Sequence, residues 1–496
     1  MTTDDLVVTT AAGDVAGVRR APSHAAFLGI PFAEPPVGER RLAAPVPRGA
    51  WDGVRPCREY GPTPQRRRTG GGVTSIPEPS IPGEDTLAVN VFTPAPGDRQ
   101  ARLPVLVWIH GGGYTSGSPA SPWYDGRTFA ARGIVTVTIS YRLGFDGFGL
   151  LPDAPPNRAV LDWLLALAWV QENIAAFGGD PDAVTIAGQS AGGGAVLTLL
   201  AMPRAQGLFR RAIAQSGALA DLPSDAAEAT TAQLATELGV TATRDGFRSV
   251  PEATVLEAQH ALTANDLADP AAVFGGLVNR TASPLTFGPV IDGDLVTAPA
   301  SASMARGTGT DVPLLAGTTA HEFNGVVTSH APAALRFVPA TLVLRRAGMP
   351  HDVTRDYLRA RNGTDTPGVV GQLLTDLLFR APLAEVLMAR QAAGATSWAY
   401  DFRWPSPLAH GTSPHCLDAP FVWNCLDAER VTEVNTGPHP PQELADAMHG
   451  TWAAFVAGDD PDWPAFAAPD HAARVFTVPP VTARNAYAIE RRLAGR

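Results

Sequence analysis

The stretch Val184-Thr185-Ile186-Ala187-Gly188-Gln189-Ser190-Ala191-Gly192-Gly193 decides how this chain is read. Val184, Thr185 and Ile186 are β-prone, and an apolar helical pattern follows through Ala195, Val196, Leu199 and Leu200. A strand that empties through Gly-Gln-Ser-Ala-Gly into a helix can carry its serine on a sharp turn, with Oγ pushed out past the strand end. Ser190 is therefore a candidate nucleophile. Small-residue turns also arise by chance, so the assignment depends on finding a base, an acid and donors for a developing oxyanion.

Upstream, the apolar run Val105-Leu106-Val107-Trp108-Ile109 reads as a buried strand that leads directly into His110-Gly111-Gly112-Gly113. Three glycines leave the backbone N–H groups of that loop free to turn inward, where they would join the N–H of the residue after the nucleophile, Ala191. His110 belongs to this loop, and a structural role is expected for it. Among the eleven histidines, His415 and His410 compete for the part of base. His415 lies in Ser413-Pro414-His415-Cys416-Leu417-Asp418, a loop that turns into an apolar segment, and it follows the order nucleophile, acid, histidine. For the acid, Glu322 follows a strand-like run at 312–316, and sheets present catalytic groups just past strand ends. Asp292 and Asp294 are rivals, although the Asp-Gly there reads better as a turn. His321-Glu322 does not open a zinc helix, because Gly325 stands where H-E-x-x-H needs its second histidine. No metal site is expected.

Bulk properties narrow the field. The chain has 496 residues, 45% of them hydrophobic and 17% charged, which suits a globular protein with a large core. A net charge of −10 argues against a nucleic-acid partner, since phosphate neutralisation needs clustered Lys and Arg. The one basic run, Arg66-Arg67-Arg68, sits in a Gly/Pro-rich stretch and reads as a solvated loop. No apolar segment reaches the ~18–20 residues of a membrane span; the longest, 159–170, is broken by Asp162. The N-terminus lacks a basic, apolar secretory leader, and three cysteines without a CxxC pattern do not make a disulfide framework. A cytoplasmic protein is expected.

Strand-like runs alternate with helical patterns over 100–320, giving an α/β protein with a large, mostly parallel central sheet flanked by helices. Strands are expected at 103–109, 134–140, 184–187, 211–215 and 312–316. A helix is expected over 159–177, with Asn157 as its cap and Gly178-Gly179 as its stop. Residues 222–280 and 331–395 read as helical insertions that shape a gorge, within a single domain spanning 1–496.

With these residues collected, the chain resembles the type-B carboxylesterases, a family that includes cholinesterases and bacterial para-nitrobenzyl esterases. The resemblance rests on Phe27-Leu28-Gly29-Ile30-Pro31-Phe32-Ala33-Glu34-Pro35-Pro36-Val37-Gly38, Ser140-Tyr141-Arg142-Leu143-Gly144, the run from Phe177 through Gly192, the run from Phe209 through Gly217, and Thr451-Trp452-Ala453-Ala454-Phe455. It implies an α/β-hydrolase fold and a serine esterase with Ser190 as nucleophile, Glu322 as acid and His415 as base, with Asp418 at the acidic position three residues on. It further implies oxyanion donors at Gly112, Gly113 and Ala191, a serine near the acid at Ser216, and an ion pair between Arg41 and Glu84.

Several positions depart from the family pattern. Thr63 and Thr86 stand where secreted relatives carry a disulfide, which fits a reducing compartment and would leave the loop freer to move. Gln189 replaces a glutamate before the nucleophile, and Phe323 replaces the usual glycine after the acid. The neutral Gln189, and the absence of an aromatic residue in the loop between Thr63 and Thr86, point away from choline esters. Tyr114, Trp123, Phe323 and Trp423 are candidate pocket residues. The expected reaction is acyl transfer on a small-molecule ester without metal or cofactor. Hydrolysis of carbamates or amides is an alternative, as is a non-catalytic cholinesterase-like binding role, which the presence of Ser190, Glu322 and His415 disfavours. The acyl and alcohol preferences and the oligomeric state have no signature in the sequence.

Overall fold

The structure, a computed structural model, describes residues 5–21, 23–64, 75–265, 285–330 and 332–495. Arg66-Arg67-Arg68 and residues 266–284 of the first insertion lie outside them.

Among the described residues, thirteen strands form one sheet. Its N-terminal part comprises β1 (Asp5–Thr9), β2 (Asp14–Ala21), β3 (His24–Pro31), β4 (Val54–Pro56) and β5 (Ala88–Thr93), and then come β6 (Leu103–Ile109), β7 (Val135–Ile139), β8 (Gly179–Gln189) and β9 (Arg211–Gln215). After a separate two-stranded ribbon, β10 (Leu222–Pro223) with β11 (Val290–Ile291), the sheet resumes with β12 (Leu314–Thr319), β13 (Ser397–Phe402), β14 (Ala473–Phe476) and β15 (Val481–Ala483). The order β1-β2-β3-β5-β7-β6-β8-β9-β12-β13-β14-β15 has a parallel centre, β7 through β14, and antiparallel margins. The expected large, mostly parallel sheet of an α/β-hydrolase is present.

Strand β6 shows why the centre is buried on both sides. Val105, Val107 and Ile109 pack into one apolar core with the helices Arg158–Asn173 and Ala191–Leu200. Leu106 and Trp108 face the other core, built with the helix Gln442–Ala457 and the segment 415–425. A period-two alternation with both faces apolar is what a parallel strand between helix layers requires.

The expected strands 103–109 and 211–215 coincide with β6 and β9, whereas β8 begins earlier and β12 runs on to Thr319. The helix Arg158–Asn173 continues as a 3₁₀ turn, Ile174–Phe177, and stops at Gly178, whose φ of +82° is the left-handed stop a glycine makes cheaply. Asn157 precedes the helix but does not cap it with its side chain. Its amide instead clasps β11, donating to Val290 O (2.7 Å) and accepting from Val290 N (2.8 Å).

Two further expectations are corrected. The continuous stretch Arg158–Phe177 is long and apolar enough, by length and composition, to cross a membrane, yet most of it is buried in the core. Asp162, the charge that interrupted the run, is fully buried and neutralised by Arg142 (2.7 Å), so it does not expose the helix to water. The implied Arg41–Glu84 ion pair is not formed. Arg41 pairs with Asp146 (3.2 Å) and donates to Val250 O (2.7 Å), while Glu84 is exposed. The partly desolvated Asp146 gains more from a cation than a carboxylate in water does.

Candidate active site

The strand β8 delivers Ser190 into a backbone conformation of φ +58°, ψ −124°, outside the regions a non-glycine residue prefers. Two close approaches hold it there. A Cβ on Gly192 would lie 2.0 Å from Ile109 O, and one on Gly188 would lie 2.3 Å from Gly192 O, so only glycine lets the turn close against β6. Ser190 N–H donates to Gln215 O at the end of β9 (2.8 Å), and Ser190 O accepts from Gly194 and Ala218.

The structure brings Ser190, His415 and Glu322 together. His415 Nε2 lies 2.9 Å from Ser190 Oγ, and its Nδ1 lies 2.5 Å from Glu322 Oε2. The other carboxylate oxygen of Glu322 accepts the N–H of Thr319 at the end of β12 (2.8 Å). All three side chains are buried. Burial works against a charged imidazole, but Cys416 and Glu322 together outweigh it and hold the His415 pKa above the ordinary histidine value. The competitor His410 is exposed on a loop. Asp292 accepts the N–H groups of Asp294 and Val296 in a turn, with Gly293 at φ +78°.

Gly112 and Gly113 have φ of +117° and +61°, and the loop folds over as Ser116 N–H donates to Gly112 O (2.9 Å). Among the described residues, no protein group accepts the N–H of Gly112, Gly113 or Ala191. His110 stacks on Tyr141, with ring centroids 4.5 Å apart, and sits in the packing of the loop.

Gln189 Nε2 lies 3.3 Å from His415 Nε2 and donates to Cys416 Sγ (3.1 Å). Behind the imidazole, Asp418 accepts from Tyr400 OH (3.1 Å) and Gln215 Nε2 (3.3 Å), and burial together with the Glu322 charge raises its pKa to about 6. Ser216 N–H donates to Gly317 O, and its buried hydroxyl makes no hydrogen bond among the described residues. Tyr114, Trp123 and Trp423 are fully buried packing residues, not pocket lining. Phe323 is half-buried, and with Phe379 it flanks the His415 ring at 5.1 and 4.8 Å between centroids.

Residues that sequence reasoning passed over hold the acid loop. The helix Thr366–Thr375 reaches it through Gly371, where a Cβ would stand 2.9 Å from Asn324 O. Phe323 N–H donates to Thr375 Oγ1 (3.0 Å), Thr375 Oγ1 donates to Asn324 Oδ1 (2.7 Å), and Gln372 Nε2 donates to Ala320 O (3.0 Å). A π-helical turn, Asp376–Arg380, follows and places Phe379 beside His415. A Thr or Gln on a mid-chain helix carries no local signal of this duty. Where secreted relatives carry a disulfide, Thr63 and Ile81 exchange N–H donations, to Ile81 O (3.0 Å) and Thr63 Oγ1 (3.0 Å), and Cys57, Cys416 and Cys425 are free, buried thiols. Among the described residues no cluster of His, Cys, Asp and Glu could hold a metal ion.

The sequence pattern of the carboxylesterase family matches residues 4–476. The chain is similar to the para-nitrobenzyl esterase of Bacillus subtilis (34% identical, covering 93% of this chain and 92% of the relative). It is also similar to the phenmedipham hydrolase of Pseudarthrobacter oxydans (33% identical, 95% and 94% covered). A crystal structure of a Geobacillus stearothermophilus carboxylesterase superposes with a TM-score of 0.83 at 31% identity, covering 98% of this chain and 99% of that one. The chain belongs to the carboxylesterase family and is a carboxylic ester hydrolase.

Proposed function

We propose that the chain hydrolyses small to medium carboxylic esters by two-step acyl transfer, with Ser190 as nucleophile, His415 as base and Glu322 as orienting acid. The observation that carries this reading is the continuous relay from Glu322 through His415 (2.5 Å) to the hydroxyl of Ser190 (2.9 Å). His415 Nε2 takes the Ser190 proton as Oγ attacks the ester carbonyl, and Glu322 stabilises the imidazolium that results. The oxyanion is met by the N–H groups of Gly112, Gly113 and Ala191, whose lack of protein acceptors among the described residues fits that duty. His415 then passes its proton to the leaving alkoxide, and water repeats the sequence on the acyl-enzyme, returning the acid and free Ser190.

The neutral Gln189 beside His415 supports uncharged substrates over cationic choline esters. A second reading is hydrolysis of carbamates or amides by the same residues, and the likeness to a phenmedipham hydrolase makes phenmedipham a fitting member of any substrate panel. Ser190→Ala is expected to lower kcat on short-chain p-nitrophenyl esters by about 10⁶-fold with an unchanged circular-dichroism spectrum. Full turnover in that variant would refute the assignment.

A further inference from the structure

The loop bearing Glu322 leaves β12, and the segment bearing His415 follows β13, so the two meet only through tertiary structure. Besides the His415 Nδ1–Glu322 Oε2 bond, three hydrogen bonds join them among the described residues. Two are between backbone groups: His321 N–H donates to Ser413 O (3.1 Å), and His415 N–H donates to Glu322 O (2.9 Å). The third uses a side chain, with Ser413 N–H donating to His321 Nδ1 (3.1 Å). Ser413 is fully buried and its hydroxyl is committed to Trp404 O (2.8 Å), so its N–H needs an acceptor or is left orphaned.

An N–H aimed at Nδ1 defines the state of the ring. His321 must present a lone pair there and carry its proton on Nε2, as a neutral imidazole. His415 is the opposite case, because its Nδ1 faces a carboxylate and holds the proton. The groups around His321 favour the neutral form: burial first and the Arg380 guanidinium second lower its pKa, with Arg361 and Arg403 adding to the effect and Asp401 opposing it. Protonation would put a second donor against the Ser413 N–H.

We propose that His321 is a positioning residue for ester hydrolysis: by accepting the Ser413 N–H it clasps the base-bearing segment to the acid-bearing loop and keeps His415 Nδ1 on Glu322. The proposal rests on the reading of Ser190, His415 and Glu322 as the reacting groups. Small misplacements of such groups can cost up to ~10²-fold in rate.

The test compares wild type, His321→Ala and His321→Asn on p-nitrophenyl acetate. Asn places Oδ1 where Nδ1 stood and so restores the acceptor. His321→Ala is expected to lower kcat about tenfold with KM within about twofold, and His321→Asn to recover kcat to within about threefold of wild type. Wild-type kcat in His321→Ala, or an Asn variant no better than the Ala one, overturns the clasp. Should the Ala variant fail to fold, ¹⁵N NMR of histidine-labelled wild type decides. The histidine signal missing from His321→Asn must show an unprotonated Nδ1 at neutral pH, and a protonated Nδ1 there overturns the proposal. Ser190→Ala run alongside separates the two readings, since turnover in that variant sinks the triad, whereas a normal His321→Ala beside an inert Ser190→Ala sinks only the clasp.

Discussion

The serine elbow and the Glu322–His415 pairing are held by different physics. The elbow is local: one strand, one turn and one helix, closed by contacts that only Gly188 and Gly192 permit. The pairing is assembled from segments 93 residues apart and depends on hydrogen bonds made by Thr319, Ser413, Thr375 and Gln372. Backbone sterics write themselves into sequence as a motif. A clasp made of scattered hydrogen bonds does not.

Four changes would break or sharpen that contrast. Glu322→Gln removes the charge behind His415 and lets the imidazole take the wrong tautomer, while leaving the elbow untouched. It is expected to lower kcat by about 10⁴-fold without shifting the melting temperature by more than a few degrees; retention of most of kcat would show that the carboxylate is dispensable. Gly192→Ala attacks the elbow instead. With its Cβ pressed to 2.0 Å from Ile109 O, it should destabilise the protein by roughly 3 kcal/mol or more in denaturant titration, and a wild-type unfolding midpoint would contradict the steric account.

Thr375→Val loosens only the clasp, stripping Phe323 N–H of its acceptor. A loss of about 1–3 kcal/mol in stability is expected, together with a several-fold drop in kcat at constant KM; an effect confined to KM would mean that Thr375 serves binding instead. The smallest change is Gln189→Glu, at the residue beside Ser190 that also touches His415. The His415 pKa already lies above the ordinary value of about 6.5, and in the proposed mechanism the neutral ring is the working form. The kcat/KM profile should therefore rise with pH through a value above that figure. A carboxylate beside Nε2 favours the charged ring, so the rise should move to higher pH by about 1 unit or more. A shift to lower pH would refute the electrostatic assignment.

These differences explain what could be read from the chain. Strands β6 and β9 were legible to the residue because short apolar runs bounded by glycine or polar residues have few other readings. The glycine loop at 110–113 and the strand–turn–helix at Ser190 were legible for the same reason. Choosing His415 over His410, and Glu322 over Asp292, needed the ordered string of family motifs, since local chemistry left each pair open. The Arg41 partner was misread because Asp146, far along the chain, offered a drier carboxylate. Asn157 was misread because its amide had a strand edge to clasp as well as a helix to cap. Thr375, Gln372 and His321 gave no signal of this role, since each acts through hydrogen bonds to residues remote in sequence.

The helix Thr366–Thr375 and its π-helical extension belong to the insertion, yet they grip the backbone of the acid loop and lay Phe379 against His415. The insertion is therefore not a module separable from the Glu322–His415 pairing. Any exchange of that insertion also resets the alignment of Glu322 with His415, so variants with an exchanged insertion should carry compensating changes at the seam between residues 320–324 and 371–375.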